Sequence, residues 1–152
     1  MNNARIFVGR SKRTIINPVC AGSKANFAFT GTLRPGSYDA GEALPFDLHY
    51  NSPGVAFGNN RHLTCAQHGV YVFHLSVMAG TKRCAVLIHN QKERMRVIAN
   101  DKQVMSQASN MIVIEWRNGE DVWVQSCNDA TTDWEESESM ASILTGFLQH
   151  KL

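Results

Sequence analysis

The chain has 152 residues, 43% of them hydrophobic, enough for one domain with a buried core. Charged residues make up 18% and the formal net charge is +2, so composition excludes the strong basic bias of a nucleic-acid binder. No apolar run approaches the ~20 residues that a membrane-spanning helix needs, which excludes membrane insertion by that route.

Residues 1–22 carry only short apolar pieces, Ile6-Phe7-Val8 and Ile15-Ile16, and read as an N-terminal arm. Such an arm either adds an edge strand or crosses to a neighbour. Residues 23–152 read as a globular domain built from short alternating segments. The first strand is 27–33, ending at Arg34-Pro35-Gly36; the second is 46–50, stopped by the turn signal Asn51-Ser52-Pro53-Gly54. Residues 63–65 follow, with a turn at Gln67-His68-Gly69, and then 70–78, the longest and most β-rich strand. Strands at 84–89 and 94–99 come next. A further pair, 111–116 and 122–127, flanks the hairpin signal Asn118-Gly119, and 142–148 closes the series. Helical periodicity, internal repeats and a Gly-X-Y tract are missing. Roughly eight to ten strands of this length predict an all-β jelly-roll or Greek-key sandwich.

Charge is unevenly spread. Arg5, Arg10, Lys12, Arg13, Lys24 and Arg34 all precede Asp39, the first acidic residue, whereas Asp129, Asp133, Glu135, Glu136 and Glu138 cluster late. These are either two solvated surface segments or a basic arm and an acidic loop that meet across a subunit boundary. The start lacks the apolar h-region of a signal peptide, so the chain reads as intracellular or as a form without its leader. Cys20, Cys65, Cys84 and Cys127 allow three pairings if all are bridged, or four small buried thiols; no Cys-x-x-Cys suggests zinc or redox chemistry.

No nucleophile elbow, phosphate loop or His-Glu-x-x-His is present, and no enzymatic activity is expected. Carbohydrate recognition needs an aromatic platform beside polar groups. Trp134 among Asp129, Asp133 and Glu135, or Trp116 beside Arg117 and Asn118, has that composition, while Trp123 reads as core. An anionic sugar would call instead on Lys92, Arg94 or Arg61. Of six histidines, His62 and His68 flank a strand and His49, His74 and His89 sit within strands.

Three pieces in order, Gly69-Val70-Tyr71-Val72-Phe73-His74-Leu75, Asn118-Gly119-Glu120-Asp121-Val122-Trp123 and Ser142-Ile143-Leu144-Thr145-Gly146-Phe147-Leu148, resemble the globular head domain of complement C1q, within the tumour necrosis factor superfamily. Phe46, Asp47 and Asn51 look similar to an upstream family segment with a one-residue shift; Leu75 and Leu63 stand where the family usually has aromatics. The resemblance covers about residues 25–149.

It implies two five-stranded antiparallel sheets packed face to face, and three subunits around a threefold axis. Tyr71, Phe73 and Leu75 would fill the sandwich. Val70, Val72 and His74 point the other way, and a strand apolar on both faces must be covered on both, so this second face is the expected trimer contact. If His74 faces the axis, three imidazoles converge and either bind a divalent cation or repel one another when protonated. The family's apical calcium loop corresponds to Phe57-Gly58-Asn59-Asn60-Arg61, which has no carboxylate, so calcium is not expected there. The implied strand neighbours bring Cys84 and Cys127 together, as a disulfide or as two reduced core thiols; Cys20 either pairs with Cys65 or bridges subunits. The resemblance therefore implies a secreted, homotrimeric, lectin-like recognition protein of innate immunity that binds glycans or surface patterns. Two other expectations remain beside it: a signalling ligand resembling tumour necrosis factor, and a structural component of the extracellular matrix.

Overall fold

A computed structural model describes residues 27–53, 55–99, 105–134 and 141–152. The expected arm, Cys20, and Glu135, Glu136 and Glu138 of the acidic loop lie outside these residues. Among the described residues every regular element is a strand. In chain order these are β1 (Ala28–Leu33), β2 (Gly36–Tyr38), β3 (Phe46–Asn51), β4 (Leu63–Thr64), β5 (Gly69–Ala79) and β6 (Arg83–His89). They continue as β7 (Lys92–Ala99), β8 (Ser106–Trp116), β9 (Asp121–Ser126), β10 (Thr132–Trp134) and β11 (Ile143–Lys151).

One sheet has five strands in the order β3-β1-β11-β5-β8, the other has four in the order β4-β9-β6-β7, and β10 and β2 form a separate two-stranded ribbon. The jelly-roll reading stands, with a correction to the second sheet. Beyond β9 the edge is shared by two short pieces. β4 pairs with Val122 and Asp121, while Ala43 bridges to Gln125 and Leu44 N donates to Val124 O at 2.8 Å. Neither piece runs the length of the sheet, so no continuous fifth strand forms there.

Strand alternation places the core. Tyr71, Phe73, Leu75, Val77 and Ala79 of β5 are all at most 1% exposed and face Phe29, Leu33, Leu87, Val97, Ile114, Trp116 and Leu144 in one cluster. Phe27, Tyr71 and Phe73 surround the Trp116 ring edge-on, with centroids 5.0–5.6 Å away. Gly146 belongs to this core for a steric reason. A Cβ there would lie 2.5 Å from Phe29 Cε1 and 3.0 Å from Phe73 Cδ1, so only a residue without a side chain lets the two rings meet over β11.

Cys84 and Cys127 form a disulfide, with Cα atoms 4.9 Å apart, that joins the start of β6 to the residue after β9. The bridge closes a segment of 43 residues, which contributes about 4 kcal/mol in the chain-entropy account. Cys65 is a buried free thiol whose Sγ lies 3.2 Å from Gln67 O. Burial pushes its ionisation up, so it is an unreactive core group.

Candidate functional site

The two sheets meet imperfectly where the edge strands β7 and β8 run side by side. Here an open cleft of about 440 Å³ is lined by His89, Asn90, Arg94, Ile112, Val113, Ile114, Glu115, Arg117 and Glu120. Local backbone geometry builds its rim. Asn90 and Gln91 both have positive φ, 52° and 59°, which makes a two-residue hairpin turn whose twist matches the flanking β6 and β7. Gly119, at φ 83°, turns β8 into β9 and returns Glu120 toward that hairpin.

Glu120 organises the cleft. Asn90 Nδ2 donates to its Oε1 at 2.7 Å; His89 Nε2 at 2.8 Å and Arg117 N at 2.9 Å donate to its Oε2. The Asn90 and Arg117 hydrogen bonds, with help from His89, hold its carboxyl well below the ordinary 4.5, at about 2. Because Glu120 is then ionised at neutral pH, the shared proton sits on His89 Nε2. His89 Nδ1 is left buried with no hydrogen-bond partner among the described residues. Beside this group, His68 Nε2 and Arg117 Nε both contact Glu115 Oε1, at 2.9 and 3.1 Å. Those two bonds, His68 first, also depress the Glu115 carboxyl.

A second cleft, about 470 Å³, lies beside β3 and includes Arg34, Phe46, Asp47, Phe57, Asn59 and Arg61 in its lining. Its charges are paired internally. Arg34 Nη2 contacts Asp47 Oδ1 at 2.5 Å, and Arg61 Nη1 reaches Glu42 Oε1 at 2.9 Å and Ala43 O at 2.7 Å.

The sequence candidates scatter over these features. Arg94 and Arg117 come together in the first cleft and Arg61 lines the second. Lys92 opens β7 opposite His89 and is exposed. Neither expected sugar platform is available. Trp134 is 0% exposed in β10, with the Arg83 guanidinium 5.3 Å from its ring centre. Trp116 is equally buried and donates Nε1–H to Glu120 O at 2.9 Å. An indole with no solvent-facing surface cannot stack on a sugar, so both are core residues. Asp129 and Asp133 are exposed, and Asp133 accepts a hydrogen bond from the Ser37 hydroxyl. Among the described residues no three His, Cys, Asp or Glu side chains gather as a cation site.

His89, Asn90 and Glu120 had escaped selection as site residues. The available signals were the polar Asn90-Gln91 pair between two strands and Glu120 beside Asn118-Gly119. Their convergence depends on β6 and β9 being neighbours.

The five-stranded sheet presents a different surface on its outer side. Tyr50, Thr30, Thr145, His74 and Met111 align across β3, β1, β11, β5 and β8; Ala28, Phe147, Val72 and Val113 form the next row. Tyr50, Met111 and Val113 are 62%, 61% and 58% exposed. His74 is half-buried on β5, one strand in from the β8 edge, and Val70 lies two rows from it beside His150 and Glu115.

A family model of the C1q domain matches residues 25–149. The fold is similar to that of the globular domain of zebrafish complement 1qA, at TM-score 0.67 and 19% identity, covering 83% of this chain and 99% of that one. It is also similar to Eiger TNF from S. frugiperda, at TM-score 0.64 and 10% identity, covering 84% of this chain and 94% of the other. Murine APRIL matches at TM-score 0.60 and 8% identity, over 82% of this chain and all of that one (100%). With the C1q model spanning nearly all of the described sandwich, the chain belongs to the C1q domain family.

Proposed function

We propose that this chain is a secreted, homotrimeric, non-enzymatic recognition protein that binds glycans or other repeated surface patterns in innate defence. The observation that carries the proposal is the apolar face of the five-stranded sheet that no described residue covers, where Tyr50, Met111, Val113 and Phe147 stand exposed on the same side as Val72 and His74. Isolated surface apolar residues are ordinary, but an aligned set across five strands is what a partner covers. C1q and tumour necrosis factor family domains are typically trimeric and bind ligands or receptors. Cyclic closure through this face accounts for the exposure with a single repeated contact that includes Val70, Val72 and His74.

A trimer displays each weak site three times on one rigid body, which suits a lattice of repeated sugars better than a single soluble ligand. In such a trimer the His74 copies converge, and a divalent cation held there would take its ligands from three subunits rather than one.

The test is native mass by sedimentation followed by a glycan array. Phe147→Asp places a charge in the apolar face and is expected to convert a trimer into monomers while leaving the fold intact. A wild-type protein that sediments as a monomer at micromolar concentration removes the basis of the proposal. A trimer that ignores every glycan but binds a protein receptor tightly favours the signalling-ligand reading. A trimer that binds neither, and is retained in an insoluble matrix, favours a structural role.

A further inference from the structure

We propose that the cleft between β7 and β8 is a binding site for a carboxylate-bearing sugar, of the uronic or sialic acid class, with Arg94 and Arg117 gripping its carboxylate. This rests on the recognition reading above and adds to it both a place and a ligand chemistry.

The cleft is formally balanced, with two guanidinium groups and two carboxylates in its lining, so charge alone does not decide what it takes. The hydrogen-bonding ledger decides. Glu120 already accepts three hydrogen bonds, from Asn90, His89 and the Arg117 amide. Oε1 of Glu115 is shared between His68 and Arg117. Three of the four carboxylate oxygens are therefore engaged from within the subunit. Most of the guanidinium donors are not. Arg94 is exposed and engages no hydrogen bond or ion pair among the described residues. Among the described residues Arg117 commits only Nε of its guanidinium, leaving both terminal nitrogens. A surplus of planar, forked donors over an already neutralised floor selects an anion, and a carboxylate fits that fork in bidentate fashion.

Two further features favour a sugar acid over a bare anion. Val113 of β8, 58% exposed, adds an apolar surface for the carbon face of a pyranose ring, while Ile112 and Ile114 turn toward the core. Glu115 Oε2 and Asn90 Oδ1 have no partner among the described residues and can accept hydroxyl protons. The cleft's volume of about 440 Å³ also falls in the range of ordinary small-ligand sites. The cleft beside β3 has no guanidinium outside an ion pair, since Arg34 is tied to Asp47 and Arg61 to Glu42. Val113 belongs to both the cleft wall and the apolar sheet face, which puts the cleft at the margin of the proposed trimer contact.

The experiment is a titration of the full protein at low salt with free glucuronate and free N-acetylneuraminate, followed by backbone amide shifts, with glucose as the uncharged counterpart and inorganic sulfate as a bare anion. Saturable binding of an acid sugar, with shifts at residues 89–94 and 112–120 and none from glucose, supports the site. Arg94→Ala and Arg117→Ala are each expected to weaken it by about tenfold or more, and Arg94→Lys by less, since lysine keeps the charge without the fork. Lys82→Ala, in the loop before β6, is expected to leave it unchanged. Acid-sugar binding undiminished in Arg94→Ala overturns the assignment, as does sulfate binding as tightly as the sugars. A protein that binds neutral glycans on the array but no acid sugar overturns this inference and leaves the recognition proposal standing. A protein that binds no glycan at all overturns both.

Discussion

The outer faces of the two sheets are built alike and finished differently. On the four-stranded sheet, Val86, Ile88 and Trp123 point away from the main core, yet all three are buried at 2–7% exposure. The chain covers them itself. Ala43 packs on the cluster, and the His62 ring lies 3.9 Å from the Trp123 ring, tilted by only 6°. On the five-stranded sheet the equivalent surface of Val72, Met111, Val113 and Phe147 has no such cover among the described residues, and three of these four are exposed. The same alternation of apolar residues therefore ends as a satellite core on one side and as an unfinished surface on the other. The difference lies in where the connecting segments run, because residues 42–44 lie along β9 while nothing described crosses β5 and β8.

Substitutions that disturb one face and spare the other test this contrast. The largest effect is expected from Trp123→Ala, which opens a cavity under His62 and should cost about 3 kcal/mol of subunit stability, read from the urea midpoint, without changing native mass. Loss of association with normal stability would mean that the covered face, rather than the bare one, holds the subunits together.

Next comes Glu120, which ties the β6–β7 hairpin to the β8–β9 turn behind the bare sheet. Its carboxyl is depressed when folded, so its contribution is fully present above the ordinary value near 4.5 and disappears as pH falls toward about 2. Allowing for solvent screening, the wild type should lose about 2 kcal/mol across that window relative to Glu120→Gln, measured by denaturation at stepped pH. Parallel pH curves for the two proteins would remove Glu120 from its organising role.

A smaller effect, about 1 kcal/mol, is expected for His62→Ala, which takes away the stacked lid over Trp123 and a long contact of 3.5 Å from Nδ1 to Asp121 Oδ2. Last is His74→Val on the bare face. It should leave stability and native mass at neutral pH unchanged while abolishing any dissociation of the proposed trimer in mild acid. Acid dissociation that persists in the variant would assign the sensitivity to other groups bordering the face, such as His150 and Glu115 beside Val70 and His68 bonded to Glu115.

The residues that were informative from sequence were those whose role depends on strand period. Alternation along 70–78 separates Tyr71, Phe73 and Leu75 from Val72 and His74 because a pleated strand admits only two directions, and burial follows for the inward set, at 0–1% exposure, while Val72 on the outward side is also buried, at 7%. The ends of strands were less readable. β8 begins at Ser106 rather than at 111, since Gln107, Ser109 and Asn110 are polar residues held in the ladder by β5 rather than by their own propensity. Trp134 was misplaced for a related reason. Surrounded by Asp129 and Asp133 it looks like a loop residue, but pairing with Gly36 draws it into the three-residue β10 and beneath Arg83.

The amino-acid sequence by itself determined the class of fold, the inward set on β5, and a family likeness carried by Gly69, Gly119, Trp123 and Gly146. These are local properties, set by side-chain period, by turn chemistry and by positions too crowded for a Cβ. The tertiary structure alone decided which strands stand at an edge, which outer face receives a cover, and which polar residues meet. Arg94 and Arg117 are 23 positions apart and share a cleft only because β7 and β8 close the same side of the sandwich. Their spare donors follow from the neighbours that Glu115 and Glu120 acquire on folding, which no spacing in the chain encodes.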